Sequence, residues 1–215
     1  MIRIFTISRL VLVLLLVVSL QSINATEMVD PSLVGKERNI CFDTALPQVS
    51  NPSSDIDYNF DLSKESFQAF LPKNYSGKEA FGIFIFIDSQ NEMMMPKEWA
   101  SIMEKEKLIC LIPQKIGNDQ PLPRRLGLTL VGILKLEERY KIDPKRVFVG
   151  GFSGGARCSV NLAFLHSDLI AGNVSICGAD FYRPVRKVKA SDNLPYGISL
   201  VPSERANNAK TKVLT

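Results

Sequence analysis

Short apolar runs alternate with helix-type segments between residues 66 and 177, and this alternation limits the possible folds more than any other feature of the sequence. The run GIFIFI at 82–87 is apolar on both faces, which favours a central parallel strand covered by helices on each side. Apolar residues recur every three or four positions along 125–140, which indicates an amphipathic helix. The sequence therefore predicts an α/β domain with a mostly parallel sheet and helices on both faces.

The predicted elements follow one another along the chain. Helices are expected at 96–107, 125–140 and 154–166, and strands at 39–42, 67–71, 82–87, 108–113, 146–150 and 172–177. Pro72 ends one strand, since proline lacks the ladder's N–H donor, and Asp143-Pro144 predicts a turn. Residues 26–57 are rich in Pro, Ser, Asn and Asp without a sustained period. We therefore expect an irregular extension over 26–64 and the main domain over 65–215.

The first 25 residues have the layout of a secretory signal peptide. Arg3 and Arg9 precede an apolar run at 10–20, and QSINA at 21–25 places an aliphatic and a small residue at the two positions that a signal peptidase inspects, so cleavage is expected after Ala25. A membrane anchor is the alternative, but the run is shorter than the roughly 20 residues that span a bilayer. We expect a secreted or periplasmic protein with no stable membrane anchor after cleavage.

Composition excludes several classes of function. A chain of 215 residues that is 46% hydrophobic is too apolar for disorder and has the size of one large domain. The net charge of +4 includes Arg3 and Arg9 of the leader, so the remainder is too weakly basic for a nucleic-acid binder. One His and four scattered Cys without a Cys-x-x-Cys pair argue against a zinc site or an iron–sulfur cluster, and no metal is expected.

The four cysteines leave the redox state open. Export permits disulfides, and Cys41, Cys110, Cys158 and Cys177 allow three connectivities. Their placement in separate strands and a helix does not imply a particular pairing. Buried free thiols are the favoured interpretation.

The segment Gly151-Phe152-Ser153-Gly154-Gly155 fits the Gly-x-Ser-x-Gly pattern of a nucleophile elbow. The pattern alone is weak, but here it follows a predicted strand and opens a predicted helix, as an elbow requires. Such a turn strains the Ser153 backbone so that the hydroxyl projects above the sheet. We interpret Ser153 as a candidate nucleophile and the Gly154 N–H as an oxyanion donor. The alternative is a glycine-rich turn whose serine only caps the helix.

With this motif the sequence resembles the α/β-hydrolase superfamily, in particular secreted serine esterases similar to feruloyl esterases and polyhydroxybutyrate depolymerases. The segments that carry the resemblance are FQAFLPKNY at 67–75, GIFIFID at 82–88, YKIDPKRVFVGGFSGG at 140–155 and GADFYRPV at 178–185. The resemblance implies an acyl-enzyme on Ser153, one oxyanion N–H from Gly154, and a second donor near Ser89. It also implies a small-molecule or polymer-linked ester substrate and no cofactor.

Two departures from the family pattern affect the site. Family members often place His-Gly in the loop after the 82–88 strand, where this chain has Asp88-Ser89-Gln90. The family order also puts an acid and then a His after the nucleophile. Asp180 is a possible acid, or simply a surface turn residue.

The only His of the chain, His166, follows Ser153 by thirteen residues on the same predicted helix. At 1.5 Å per residue the two lie about 20 Å apart, whereas a general base must lie within about 3 Å. His166 is therefore excluded as the base. It is interpreted as a partly exposed residue at a helix C-terminus, where positive charge suits the helix dipole.

We expect the acid and the base to be encoded beyond residue 215. The run KVL at 212–214 looks like the start of a further strand, so the chain is expected to be an α/β-hydrolase domain that is incomplete at its C-terminus and inactive alone. The leading hypothesis is a secreted serine esterase that acts through Ser153. The alternative is a non-catalytic module whose hydrolase scaffold binds a glycan or polymer.

Overall fold

The computed structural model describes residues 33–42, 46–49 and 52–178, and the backbone of 212–214. They include the helices α1 (Trp99–Glu106), α2 (Leu122–Arg139) and α3 (Gly154–Leu165), and a short 3-10 helix at Leu62–Lys64. Their strands are β1 (Glu37–Ile40), β2 (Phe67–Phe70), β3 (Phe81–Ile87), β4 (Leu108–Pro113), β5 (Ile142–Phe152), β6 (Gly172–Ile176) and β7 (Lys212–Leu214).

The strands form one sheet in the order β1-β2-β4-β3-β5-β6-β7. Neighbours from β4 through β3, β5 and β6 to β7 are parallel, whereas β2 pairs antiparallel with β4 and β1 with β2. The run at 212–214 forms the strand β7, which pairs in parallel with β6. The predicted mostly parallel sheet is confirmed for the described part of the chain.

The two faces of β3 explain why its sequence is apolar at every position. Successive side chains of a strand point to opposite faces. Ile83, Ile85 and Ile87 are fully buried in the large core that α2 and α3 share with the sheet. Phe84 and Phe86 point to the other face, where their rings lie 5.7 and 5.0 Å from the ring of Trp99 in α1. Helices therefore cover both faces, as predicted.

Several predicted boundaries differ from the observed ones. The helix α1 begins at Trp99 rather than at 96, and α2 begins at Leu122, because prolines at 121 and 123 suit a helix start and its first turn. The strand β1 lies two residues before its predicted position. Part of the N-terminal extension also enters the main core, where Ile56, Phe60 and Leu62 are buried.

The turn predicted at Asp143-Pro144 lies inside β5 instead of ahead of it. The β3–β5 ladder shifts register between the pair Phe81–Ile142 and the pair Ile83–Val147. At this shift a carboxylate oxygen of Asp143 accepts a hydrogen bond from the Lys145 N–H at 3.0 Å. The turn chemistry is present, but it forms an irregularity within the strand, so the separate turn was a wrong prediction.

The described residues contain no helix with the length and apolar character of a membrane span. The predicted signal peptide at 1–25 lies outside the described residues, and so does Asp180.

All four cysteines lie among the described residues, and all are free thiols. Cys110 in β4 and Cys158 in α3 are buried, as favoured from the sequence. Cys41 and Cys177 are exposed, so burial was a wrong prediction for these two. Each follows the end of a strand, Cys41 after β1 and Cys177 after β6.

We expect iodoacetamide to alkylate Cys41 and Cys177 in the folded protein and to leave Cys110 and Cys158 unmodified. Burial raises the pKa of both inner thiols, that of Cys158 to about 11, so the reactive thiolate is scarce as well as shielded. Intact mass should show two additions on the native protein and four after unfolding in urea. Modification of Cys110 or Cys158 before unfolding would contradict the described packing.

Candidate active site

Ser153 lies between the end of β5 and the start of α3, at the carboxyl edge of the sheet. Its backbone has φ 52° and ψ −115°, a conformation that residues with a side chain rarely adopt. The Ser153 N–H donates to the Ile176 carbonyl of β6 at 2.8 Å, and the Ser153 carbonyl accepts from the Arg157 N–H at 3.3 Å. These bonds hold a strained turn at the position that the sequence assigned to a nucleophile.

The side chain of Ser153 does not cap the helix it precedes. Ser153 occupies the N-cap position of α3, yet its hydroxyl accepts no hydrogen bond from the first turn of that helix. A serine retained for capping would make such a bond to one of the first N–H groups. The interpretation of Ser153 as a helix cap therefore has no support from the geometry.

Two of the three glycines around Ser153 are required by close approach of the backbone, and the third lies against a side chain. A Cβ on Gly155 would lie 1.9 Å from the carbonyl oxygen of Ile87, and one on Gly151 would lie 2.4 Å from the carbonyl oxygen of Gly155. A Cβ on Gly154 would lie 1.8 Å from the side-chain oxygen of Asn118. Real Cβ atoms do not approach backbone so closely, so only glycine fits at 151 and 155, whereas a side chain at 154 would displace that of Asn118.

Contact between Gly155 and Ile87 brings the first turn of α3 beside the loop that follows β3. In this loop the Asp88 carboxylate accepts a hydrogen bond from the Gln90 N–H at 2.7 Å. The Ser89 carbonyl accepts from the Asn118 N–H at 2.9 Å. No described residue accepts a hydrogen bond from the N–H of Ser89 or of Gly154. Of the two N–H groups that follow Asp88, only that of Ser89 is therefore available to a ligand.

His166 lies at the C-terminal end of α3, at the opposite end of that helix from Ser153. It is 4% exposed, and no described residue hydrogen-bonds its buried Nε2 atom. Burial lowers the pKa of its imidazole. The prediction of a partly exposed cation was therefore wrong, because α2 packs beside the end of α3, where Leu130 and Leu134 line one hollow together with His166. The position confirms that His166 does not serve Ser153 as a base.

Two further residues at this edge were missed by sequence reasoning, Asn118 and Arg125. Arg125 is 6% exposed, and it shares one stripe of α2 with the buried residues Thr129, Gly132 and Leu136. The signal available in the sequence was that Arg125 is a cation on a helix face whose other residues are buried. Among the described residues, no group of three or more His, Cys, Asp or Glu side chains could hold a metal ion.

No protein-family model and no curated protein matches the sequence. Similar solved structures include an acetyl xylan esterase from Aspergillus awamori, with 18% identity over 60% of this chain and 50% of that one and a TM-score of 0.45. A thermostable esterase has 18% identity over 70% of this chain and 50% of its own, with a TM-score of 0.46. A ferulic acid esterase has 18% identity over 64% and 57%, with a TM-score of 0.43.

The chain spans about half the length of the first two esterases. The described residues contain the strand, sharp turn and helix that an α/β-hydrolase elbow requires, so the resemblance seen in the sequence extends to the fold.

Replacement of Gly155 by alanine should lower the free energy of unfolding by about 3 kcal/mol or more, because its Cβ would meet the backbone carbonyl of Ile87. Gly132→Ala in α2 is the matched control. Its Cβ would meet side-chain atoms of Leu111, Phe67 and Ile85, at 2.9, 3.0 and 3.3 Å, instead of backbone, and alanine gains about 1 kcal/mol of helix propensity. Urea unfolding curves measure both variants, and equal stabilities would contradict the described contact.

The free energy of unfolding should fall as the pH is lowered from about 6.5. Burial lowers the folded-state pKa of His166 below its ordinary value of 6.5, so the unfolded chain binds more protons between the two values. The loss is complete once the pH is below the folded-state pKa. Urea unfolding of the wild type and of His166→Gln at pH 7.5 and 5 measures the effect. Because His166 is the only His of the chain, His166→Gln should lose the fall in the free energy of unfolding that occurs just below pH 6.5. An unchanged slope would refute the assignment.

Proposed function

We propose that this chain is the nucleophile-bearing part of a secreted serine esterase that cleaves carboxylic ester bonds through an acyl-enzyme on Ser153. The observation that carries the proposal is the left-handed backbone of Ser153, at φ 52° and ψ −115°, in a turn where its side chain caps no helix. Strain of this kind persists where the surrounding structure enforces it, and such residues cluster at functional sites. Here the flanking glycines and the bond to β6 enforce it.

In the proposed reaction the Ser153 Oγ attacks the carbonyl carbon of the ester and gives its proton to a general base. The carbonyl oxygen becomes an oxyanion that accepts hydrogen bonds from the N–H groups of Gly154 and Ser89. Collapse of this intermediate expels the alcohol, which takes the proton from the base, and leaves an acyl group on Ser153. Water then attacks the acyl group with the same base and releases the acid.

The reaction needs a base that His166 does not supply, because that residue lies at the far end of α3. We propose that the base and the acid that orients it come from outside these 215 residues, as expected from the sequence. Loss of one member of a complete triad costs about 10⁴-fold in rate or more. The chain alone should therefore react slowly at Ser153, without a cofactor. We also propose that the leader at 1–25 directs export of the protein.

Reaction with a fluorophosphonate tests the nucleophile. Peptide mass spectrometry should find the phosphonyl group on Ser153 of the native chain, and imidazole in the buffer should raise the rate by supplying the missing base. Ser153→Ala should abolish the modification. Ser101→Ala, which removes an exposed serine of α1, should leave it unchanged.

Absence of modification at Ser153, with and without imidazole, would remove the esterase mechanism. It would favour the alternative of a non-catalytic module that binds a glycan or polymer.

A further inference from the structure

Arg125 is a buried cation in the first turns of α2. Its Nε donates a hydrogen bond to the Ile116 carbonyl at 2.7 Å, and its Nη2 donates to the Asp88 carbonyl at 3.1 Å. Its Nη1 lies 3.4 Å from the side-chain oxygen of Asn118. No described carboxylate forms an ion pair with Arg125. Burial of a charge is costly unless polar groups satisfy it, so these oxygens of two loops are its main compensation.

The bond to Asp88 fixes the direction of the Ser89 N–H. The Asp88 carbonyl and the Ser89 N–H belong to one planar trans peptide, so they point in opposite directions. A guanidinium that holds the carbonyl on one side therefore orients the N–H on the other. The next peptide is fixed in turn, because the Ser89 carbonyl accepts from the Asn118 N–H.

The Arg125 guanidinium also connects to α3, the helix that carries the Gly154 N–H. Its partner Asn118 packs against Gly154, where a Cβ would lie 1.8 Å from the Asn118 side-chain oxygen. Arg125 thus contacts the loop after β3 through Asp88 and the loop after β4 through Ile116, and it reaches the first turn of α3 through Asn118.

We propose that Arg125 is a positioning residue for the oxyanion site, which it builds by holding the Ser89 N–H in line with that of Gly154. This proposal rests on the proposed function of Ser153. Its effect comes from the fork geometry of the guanidinium, which serves three acceptors at once, and not from positive charge alone. Arg125→Lys would keep the positive charge but lose the planar set of N–H donors that serves three acceptors.

The test compares fluorophosphonate modification of Ser153 in the wild type, Arg125→Met and Arg125→Lys. Arg124→Met is the matched control, because Arg124 lies on the same turn of α2 but forms a two-pronged bond with Glu65 at 3.0 and 2.8 Å. We expect the limiting rate of modification to fall about 100-fold in both Arg125 variants, with the half-saturating probe concentration unchanged. Arg124→Met leaves the buried Glu65 unpaired and should lower stability, but the folded variant should stay within about twofold of the wild-type rate, because Arg124 bonds to Glu65 and not to Asp88 or Asn118.

Two results would overturn the proposal. One is a wild-type rate in Arg125→Lys, which would show that charge suffices. The other is an equal fall in Arg124→Met, which would show a general loss of structure. Should Arg125→Met fail to fold, Arg125→Ala in millimolar guanidinium chloride replaces it. Recovery of the rate with added guanidinium supports the proposal, and its absence counts against it.

Failure of the esterase assignment can be distinguished from failure of the positioning role of Arg125. If the wild type is not modified at Ser153, the esterase assignment fails, and the ¹⁵N heteronuclear NOE of the Ser89 amide still tests the positioning. We expect that NOE to drop in Arg125→Met and to stay unchanged in Arg124→Met. An unchanged Ser89 NOE in Arg125→Met overturns the positioning role whatever the reactivity of Ser153.

Discussion

The contact between Gly155 and the carbonyl of Ile87 is the constraint on which the site depends. It sets the first turn of α3 directly against the end of β3, at a separation that leaves no room for a side chain. This contact fixes the start of α3, and the sheet fixes β5. The chain therefore has a single residue in which to change direction between β5 and α3. That residue is Ser153, and its left-handed backbone follows from the positions of the two elements that it joins.

The loops around Ser153 are held mainly by polar groups that bond to backbone. Arg125 donates to the carbonyls of Asp88 and Ile116, and the Asn118 N–H donates to the carbonyl of Ser89. Asn91 adds a second connection, since its side chain donates to Asp119 at 2.9 Å and accepts from the Gly117 N–H at 2.9 Å. Loops tied at several points lose less freedom when a ligand binds, which suits a site that must present fixed N–H donors.

The sequence predicted the sheet and the elbow because both depend on local patterns. The continuous apolar run of β3 and the strand–turn–helix order around Ser153 can be read from consecutive residues. The burial of His166 was missed, because it depends on α2, a helix distant in the sequence, packing over the end of α3. Arg125 was missed for a related reason. Its acceptors are backbone carbonyls, which every residue type carries, so no side-chain pattern marks them. The exposure of Cys177 likewise depends on what lies beyond the end of β6.

The long sequence separation between Ile87 and Gly155 has a consequence for how reactivity arises during folding. Pairing of β3 with β5 and seating of α3 are non-local events, which a chain of this topology completes late. Before they occur, nothing forces Ser153 out of the relaxed backbone conformations that serine ordinarily adopts. An unfolded chain would therefore carry an ordinary serine hydroxyl, and the proposed nucleophile would form only with the finished tertiary structure.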